Sequence, residues 1–109
     1  MSQRIRLTTA TLAVLNVIMA GSAVEEPVWG FKICDLAGLG PGTVYPILDR
    51  LEQAKWISGC WEAPQPADRP KRRFYEMTAA GRLELAEAIA ARPRIGKVWR
   101  QLAWSGSVA

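Results

Sequence analysis

A cluster of glycine and proline residues interrupts the middle of the chain, and a regular apolar pattern follows it directly. The cluster predicts a tight turn over residues 38–42. Beyond it, apolar side chains recur at the i, i+3, i+4 and i+7 spacing of one helix face. We therefore predict an amphipathic helix over about residues 43–55, whose start is limited by Pro46, because proline is tolerated only in the first turn. The apolar face consists of Val44, Ile47, Leu48 and Leu51.

Shorter elements surround this turn and helix. Two helices are predicted before it, at about residues 8–20 and 28–37, and two more near the end of the chain. Residues 56–77 hold two β-prone segments around a proline-rich tip, which is typical of a β-hairpin. The predicted fold is mainly α with a small β-hairpin, in the order of a winged helix-turn-helix. We place this domain at residues 1–80 and a C-terminal helix region for dimerisation at residues 81–109.

Composition excludes most catalytic chemistry. The 109-residue chain has no histidine and only two cysteines, Cys34 and Cys60. A His-ligated metal site, a Ser-His-Asp triad and a Cys-His dyad are therefore impossible, and two cysteines cannot complete a zinc site. The sequence also lacks a glycine-rich phosphate loop and a nucleophile–base pair. We expect neither an enzyme, a metal nor a cofactor.

The N-terminal segment permits two interpretations. Arg4 and Arg6 precede an apolar run over residues 12–20, as in a signal peptide. The alternative is a buried first helix, which we favour because threonines and Asn16 interrupt the run and it is too short to span a bilayer. A cytoplasmic protein with free thiols and no membrane partner follows from that interpretation.

The basic residues are concentrated at the hairpin tip. The net charge of +4 is by itself weak support for an anionic partner. However, four of the fourteen basic residues fall within five positions at the tip, on a ribbon that would protrude from the domain. Such a cation cluster suits contact with DNA phosphates or a narrow minor groove. The four residues are Arg69, Lys71, Arg72 and Arg73.

The polar face of the predicted helix 43–55 fits a DNA major groove. Thr43 and Gln53 are candidate readers of bases or phosphates, and Arg50 is a candidate phosphate contact. Tyr45 is either another DNA contact or a half-buried packing residue. Asp49 could accept a hydrogen bond from a cytosine, but we favour its pairing with Arg50 or Gln53.

A protein-interaction module is the alternative function. Winged-helix domains can bind proteins through the same helix, and the acidic residues Asp35, Asp49 and Glu52 near that face are compatible with this. Salt-dependent retention on random DNA would distinguish the two hypotheses.

Two stretches of the sequence resemble motifs of the PadR family of transcriptional regulators. Residues 42–52, GTVYPILDRLE, are similar to its recognition helix, and residues 72–81, RRFYEMTAAG, to its second wing strand and following helix. The resemblance covers residues 8–104 and is greatest to the small subgroup with one short C-terminal helix. It implies a homodimeric winged-helix regulator, in our interpretation a repressor, that binds a pseudo-palindromic double-stranded operator and is released by a small aromatic or drug-like effector.

Three residues depart from the family pattern. Lys55 stands where the family usually has a glycine at the end of the recognition helix, and lysine costs about 1 kcal/mol if that position is left-handed. Phe31 replaces a tyrosine, which removes a hydroxyl that could contact phosphate. Met77 replaces a leucine, a mild change in packing.

The last helix carries an apolar stripe that no later element could cover. A partner subunit is therefore expected there, with help from Leu12 and Leu15 of the first helix. Trp99 is also a candidate wall of an effector pocket, although interface packing is its simpler role. The stripe consists of Ile95, Val98, Trp99 and Leu102.

Overall fold

The computed structural model describes residues 5–64 and 69–107 of the chain, with side chains as far as Leu102. Five helices and three short strands make up this part of the chain. Part of the predicted hairpin tip, residues 65–68, lies outside the described residues. The elements in chain order are α1 (Thr9–Ala23), β1 (Val28–Trp29), α2 (Gly30–Ala37), α3 (Pro41–Gln53), β2 (Ile57–Trp61), β3 (Arg73–Met77), α4 (Ala79–Ala91) and α5 (Pro93–Ser107).

The sheet has three antiparallel strands in the order β1-β3-β2. The predicted hairpin is β2 and β3, in a register that sets Ile57 opposite Met77. The third strand corrects our prediction of a helix over residues 28–37. Val28 and Trp29 instead pair with β3, as β-branched and aromatic residues favour, and helix α2 begins only at Gly30.

Helix α1 is buried on most of its surface, which confirms the prediction of a buried first helix. It begins after Thr8, whose hydroxyl accepts a hydrogen bond from the Thr11 amide at 3.1 Å. Helices α2, α3 and α5 and strand β3 all contact it. Leu12 and Leu15 are only 1% and 0% exposed within this single chain. Both therefore belong to the core of this chain, which leaves little of either side chain for a partner subunit.

Helix α3 presents the predicted apolar face to the core, since Val44, Ile47, Leu48 and Leu51 are all buried. It begins two residues earlier than predicted, however. Pro41 occupies the first turn, and Pro46 lies inside the helix. Because Gly42 and Pro46 are exposed, the helical carbonyl that Pro46 leaves unpaired can be hydrated. The left-handed conformation expected at the end of this helix falls on Lys55, with φ of 66°.

The hydroxyl of Thr78 joins three segments at the base of the wing. It accepts a hydrogen bond from the Gly81 amide at 2.9 Å, which starts α4, and lies 2.6 Å from the Lys55 carbonyl oxygen, to which it can donate. Gly81 packs directly on the Trp56 carbonyl group. The end of α3, the start of β2 and the start of α4 are thereby held together.

The C-terminal stripe is partly covered by the chain itself, contrary to prediction. Helix α5 packs on α1 and α4, so that Ile95, Val98, Trp99 and Leu102 lie partly buried against the core. None of the helices in the described ranges is both long and apolar enough to cross a bilayer.

Candidate nucleic-acid interface

The outward face of α3 carries the four residues predicted there, Thr43, Tyr45, Arg50 and Gln53, and all of them are exposed. The amide of Gln53 donates a hydrogen bond to the Asp49 carboxylate at 2.9 Å, which confirms the predicted pairing of Asp49 within its own helix. Arg50 forms no ion pair with any described residue. Its charge is therefore available at the surface.

Tyr45 is a half-buried packing residue, which is one of its two predicted roles. Its ring packs edge-on against Phe31, with centroids 6.2 Å apart, and its hydroxyl end lies on Gly30, where a methyl group would come within 2.6 Å of Cζ. Burial raises the pKa of Tyr45 above its ordinary value, and the Cys34 thiol adds to the shift. The side chain nevertheless remains 40% exposed. Tyr45 thus fixes α3 against the start of α2 and still reaches the surface.

Two of the four wing cations are held by carboxylates. Arg69 forms a two-pronged hydrogen bond with Glu62, at 2.8 and 2.9 Å, which lowers the pKa of Glu62. Arg73 forms an ion pair with Glu52 on α3. Its guanidinium also lies 5.3 Å from the centre of the Trp61 ring and within 2.6 Å of where a Gly59 methyl group would be. Arg73 is therefore enclosed by the base of the wing rather than directed outward.

Arg72 and Lys71 are the wing cations without a carboxylate partner among the described residues. Lys71 is exposed. The Arg72 guanidinium lies 4.2 Å from the centre of the Trp29 ring, and the Lys32 ammonium is 5.0 Å from the same ring. The Trp29 ring thus forms cation–π contacts with both Arg72 and Lys32, which come from different parts of the chain.

Sequence reasoning missed Trp29 and Lys32 as parts of this surface. The Trp29 ring packs edge-on against Phe74 of β3 at 5.8 Å and lines a surface cleft beside the wing. The available signal was the pair Val28-Trp29, whose strand preference exceeds its helix preference. Trp61 is 60% exposed and lies beside Arg73.

A cleft of about 450 Å³ separates the wing from the start of α2 and from Tyr45 of α3. Aromatic rings and cations line it together, and Tyr45 of α3 faces it from the helix side. The cleft therefore joins the exposed face of α3 and the wing into one surface. The cations at its edge are Arg69, Lys71, Arg72 and Arg73.

Other sequence-predicted sites lie elsewhere. Trp99 is not among the residues that line this cleft. The free cysteines are a buried Cys34, whose pKa is raised by desolvation, and an exposed Cys60. Within residues 5–64 and 69–107, no group of His, Cys, Asp and Glu side chains is suited to hold a metal ion.

A three-helix core with a basic β-ribbon beside an exposed third helix defines a winged helix-turn-helix protein. A model of the PadR-like family of transcriptional regulators matches residues 23–87, more than half of the chain. The chain therefore belongs to the PadR-like family, whose members are DNA-binding transcription regulators. A comparison with curated proteins gives no significant match.

Solved structures support the same fold. A PadR family transcription regulator from Clostridium difficile is 21% identical, with a TM-score of 0.60, and the match covers 84% of this chain and 95% of that one. A PadR-like transcriptional regulator from Bacillus cereus is 23% identical, with a TM-score of 0.57 and coverage of 84% and 88%.

Proposed function

We propose that the chain is a sequence-specific DNA-binding repressor that reads a duplex with α3 and grips its phosphates with the wing. The observation that carries this proposal is the shared cleft. Tyr45 of α3 borders the same 450 Å³ space as Lys71 and Arg72, two cations that have no carboxylate partner among the described residues. A helix can enter the major groove while a ribbon beside it contacts the neighbouring backbone.

We divide the predicted residues into three groups by their contacts. Thr43 and Arg50 on α3, with Lys71 and Arg72 on the wing, have no carboxylate partner among the described residues and are assigned to the duplex. Arg69 and Arg73 are bound to Glu62 and Glu52, so we assign them to holding the wing in place. Tyr45 and Gln53 keep contacts within the protein, and we assign them to the edge of the surface that contacts the duplex.

We further propose a cytoplasmic homodimer formed through α5. Its stripe, Ile95, Val98, Trp99 and Leu102, is only partly covered by the chain's own core, which leaves apolar surface for a second copy. Two-fold symmetry would match a pseudo-palindromic operator.

We also propose that a small aromatic effector binds beside Trp99 and releases the regulator from DNA. We keep the division at residue 80, although α4 crosses it and Leu85 joins the same core.

Selection of bound sequences from a random duplex library tests the function, followed by fluorescence anisotropy of the enriched duplex over a salt series. We expect enrichment of a two-fold sequence. Lys71→Ala and Arg50→Ala should each weaken binding and reduce the slope of log K against log salt by about 1. Lys97→Ala, an exposed cation on α5, is the matched control and should change neither quantity.

Binding without enrichment of any sequence would contradict specific recognition. Absence of salt-dependent binding to any duplex would overturn the DNA function and favour the protein-interaction module.

A further inference from the structure

A second cavity lies where the start of α1 meets the joint of α4 and α5. Its volume is about 860 Å³, within the range of small-molecule sites. We propose that it binds an aliphatic organic carboxylate, with arginines for the acid group and aliphatic side chains for the hydrocarbon body. The arginines are Arg6, Arg92 and Arg94.

The positive charge of the residues that line this cavity favours an anionic ligand. Among the residues that the structure describes, three guanidinium groups line it, from the segment before α1, the end of α4 and the start of α5, and none of the lining residues is acidic. None of the three forms an ion pair with a described residue. Three like charges around one space repel one another, and a carboxylate relieves that repulsion while accepting paired hydrogen bonds from a guanidinium fork.

The aliphatic side chains that line the cavity favour a ligand with a hydrocarbon body. Leu7, Ile95 and Val98 are aliphatic, partly buried and packed against the core. Ile95 and Val98 also belong to the stripe proposed for the dimer, so the ligand would lie at the edge of that interface. No aromatic ring is among the described residues that line it, and these residues offer no stacking partner for a planar ligand. An alkyl chain would cover these side chains and remove their remaining surface from water.

The site is separate from the candidate DNA interface. It lies at the Thr8–Thr9 end of α1, whereas Ser22 near the other end accepts a hydrogen bond from the Met77 amide at the base of the wing. The 15 residues of α1 span about 22 Å at 1.5 Å per residue. The proposal therefore does not depend on DNA binding, and its test requires no DNA.

Calorimetric titration of the full chain with octanoate, octanol and inorganic phosphate tests the proposal. Octanoate should bind more tightly than octanol, which has the same body without the charge, and than phosphate, which has charge without the body. It should also raise Tm, by an amount that keeps growing with the logarithm of the octanoate concentration above Kd. Arg94→Gln at the start of α5 and Arg6→Gln in the segment before α1 should each weaken octanoate binding at least about tenfold, equivalent to about 1.4 kcal/mol.

Lys97→Gln is the matched control, because it removes one exposed charge from the same helix outside the cavity. Equal weakening by Lys97→Gln and Arg94→Gln would overturn the proposal, as would equal binding of phosphate and octanoate. A change of oligomeric state in Arg94→Gln, followed by light scattering, would overturn it in favour of a contact between copies of the chain.

Discussion

Arg73 of β3 and Glu52 of α3 form an ion pair that joins the wing to the helix proposed to read DNA. The Glu52 hydrogen bond is the principal cause of the raised pKa of Arg73. Their side chains are 27% and 34% exposed, so solvent screens the pair and its contribution to stability is about 0.5–1 kcal/mol. The ion pair matters mainly through its position, because it fixes the wing against α3. These are the two parts of the proposed DNA-binding surface.

Arg73→Ala and Glu52→Gln should therefore have the same effect on DNA binding. Each should weaken it about 2- to 5-fold, the equivalent of the lost pair, with no change in salt slope. Anisotropy over a salt series measures both quantities. A direct phosphate contact would instead give a slope reduced by about 1 in Arg73→Ala alone.

Gly81→Ala should strongly destabilise the fold. The added methyl group would overlap the Trp56 carbonyl, whose carbon would be only 2.7 Å away, and backbone cannot give way as a side chain can. We expect a loss of about 2–3 kcal/mol in chemical unfolding. Gly42→Ala is the matched control, since its methyl group would meet nothing within 4 Å and alanine favours a helix. Equal unfolding midpoints for the two variants would refute this packing.

Lys55→Gly should stabilise the protein. Lys55 has a φ of 66°, a conformation that is strained for residues with a Cβ atom. Replacement by glycine should raise the free energy of unfolding by about 0.5–1 kcal/mol. Lys55→Ala separates conformation from loss of the side chain, because alanine keeps the Cβ atom and should bring no gain. The urea midpoint decides between them.

Tyr75 should ionise above the usual tyrosine pKa of about 10. Burial is the main cause of its raised pKa, which the Arg73 charge partly offsets. The unfolded chain ionises first as the pH rises, so the stability contributed by neutral Tyr75 is complete below about pH 10 and is lost through the folded pKa. The chain has two tyrosines, so Tyr45→Phe leaves Tyr75 alone for titration by tyrosinate absorbance. A midpoint equal to that in urea would contradict its burial.

The double variant Val98→Asp, Trp99→Ser should be monomeric in light scattering, because it places a charge and a polar group in the α5 stripe. Lys97→Ser, on the exposed side of α5, is the control and should leave the dimer intact. Circular dichroism of both variants verifies the fold, since Val98 and Trp99 also pack on the chain's own core. A folded double variant that stays dimeric would place the interface elsewhere.

Periodic features were the easiest to predict from the sequence. The spacing of Val44 to Leu51 located α3 and its buried face, and the proline-rich tip located the wing. Strand β1 was missed because two residues are too few to show an alternating pattern. The partner of Arg73 was also beyond sequence reasoning, because Glu52 lies 21 positions away and only the wing's docking on α3 brings the two together.

Strand β1 also has a consequence for the order in which the chain can fold. The turn and helices up to α3 require only local contacts and can form early during synthesis. Trp29, by contrast, pairs with Phe74 and meets Arg72, both of which emerge much later. Trp29 in the N-terminal half therefore stays uncovered until β3 has been synthesised. Closing this sheet is the step that we expect to limit the folding rate.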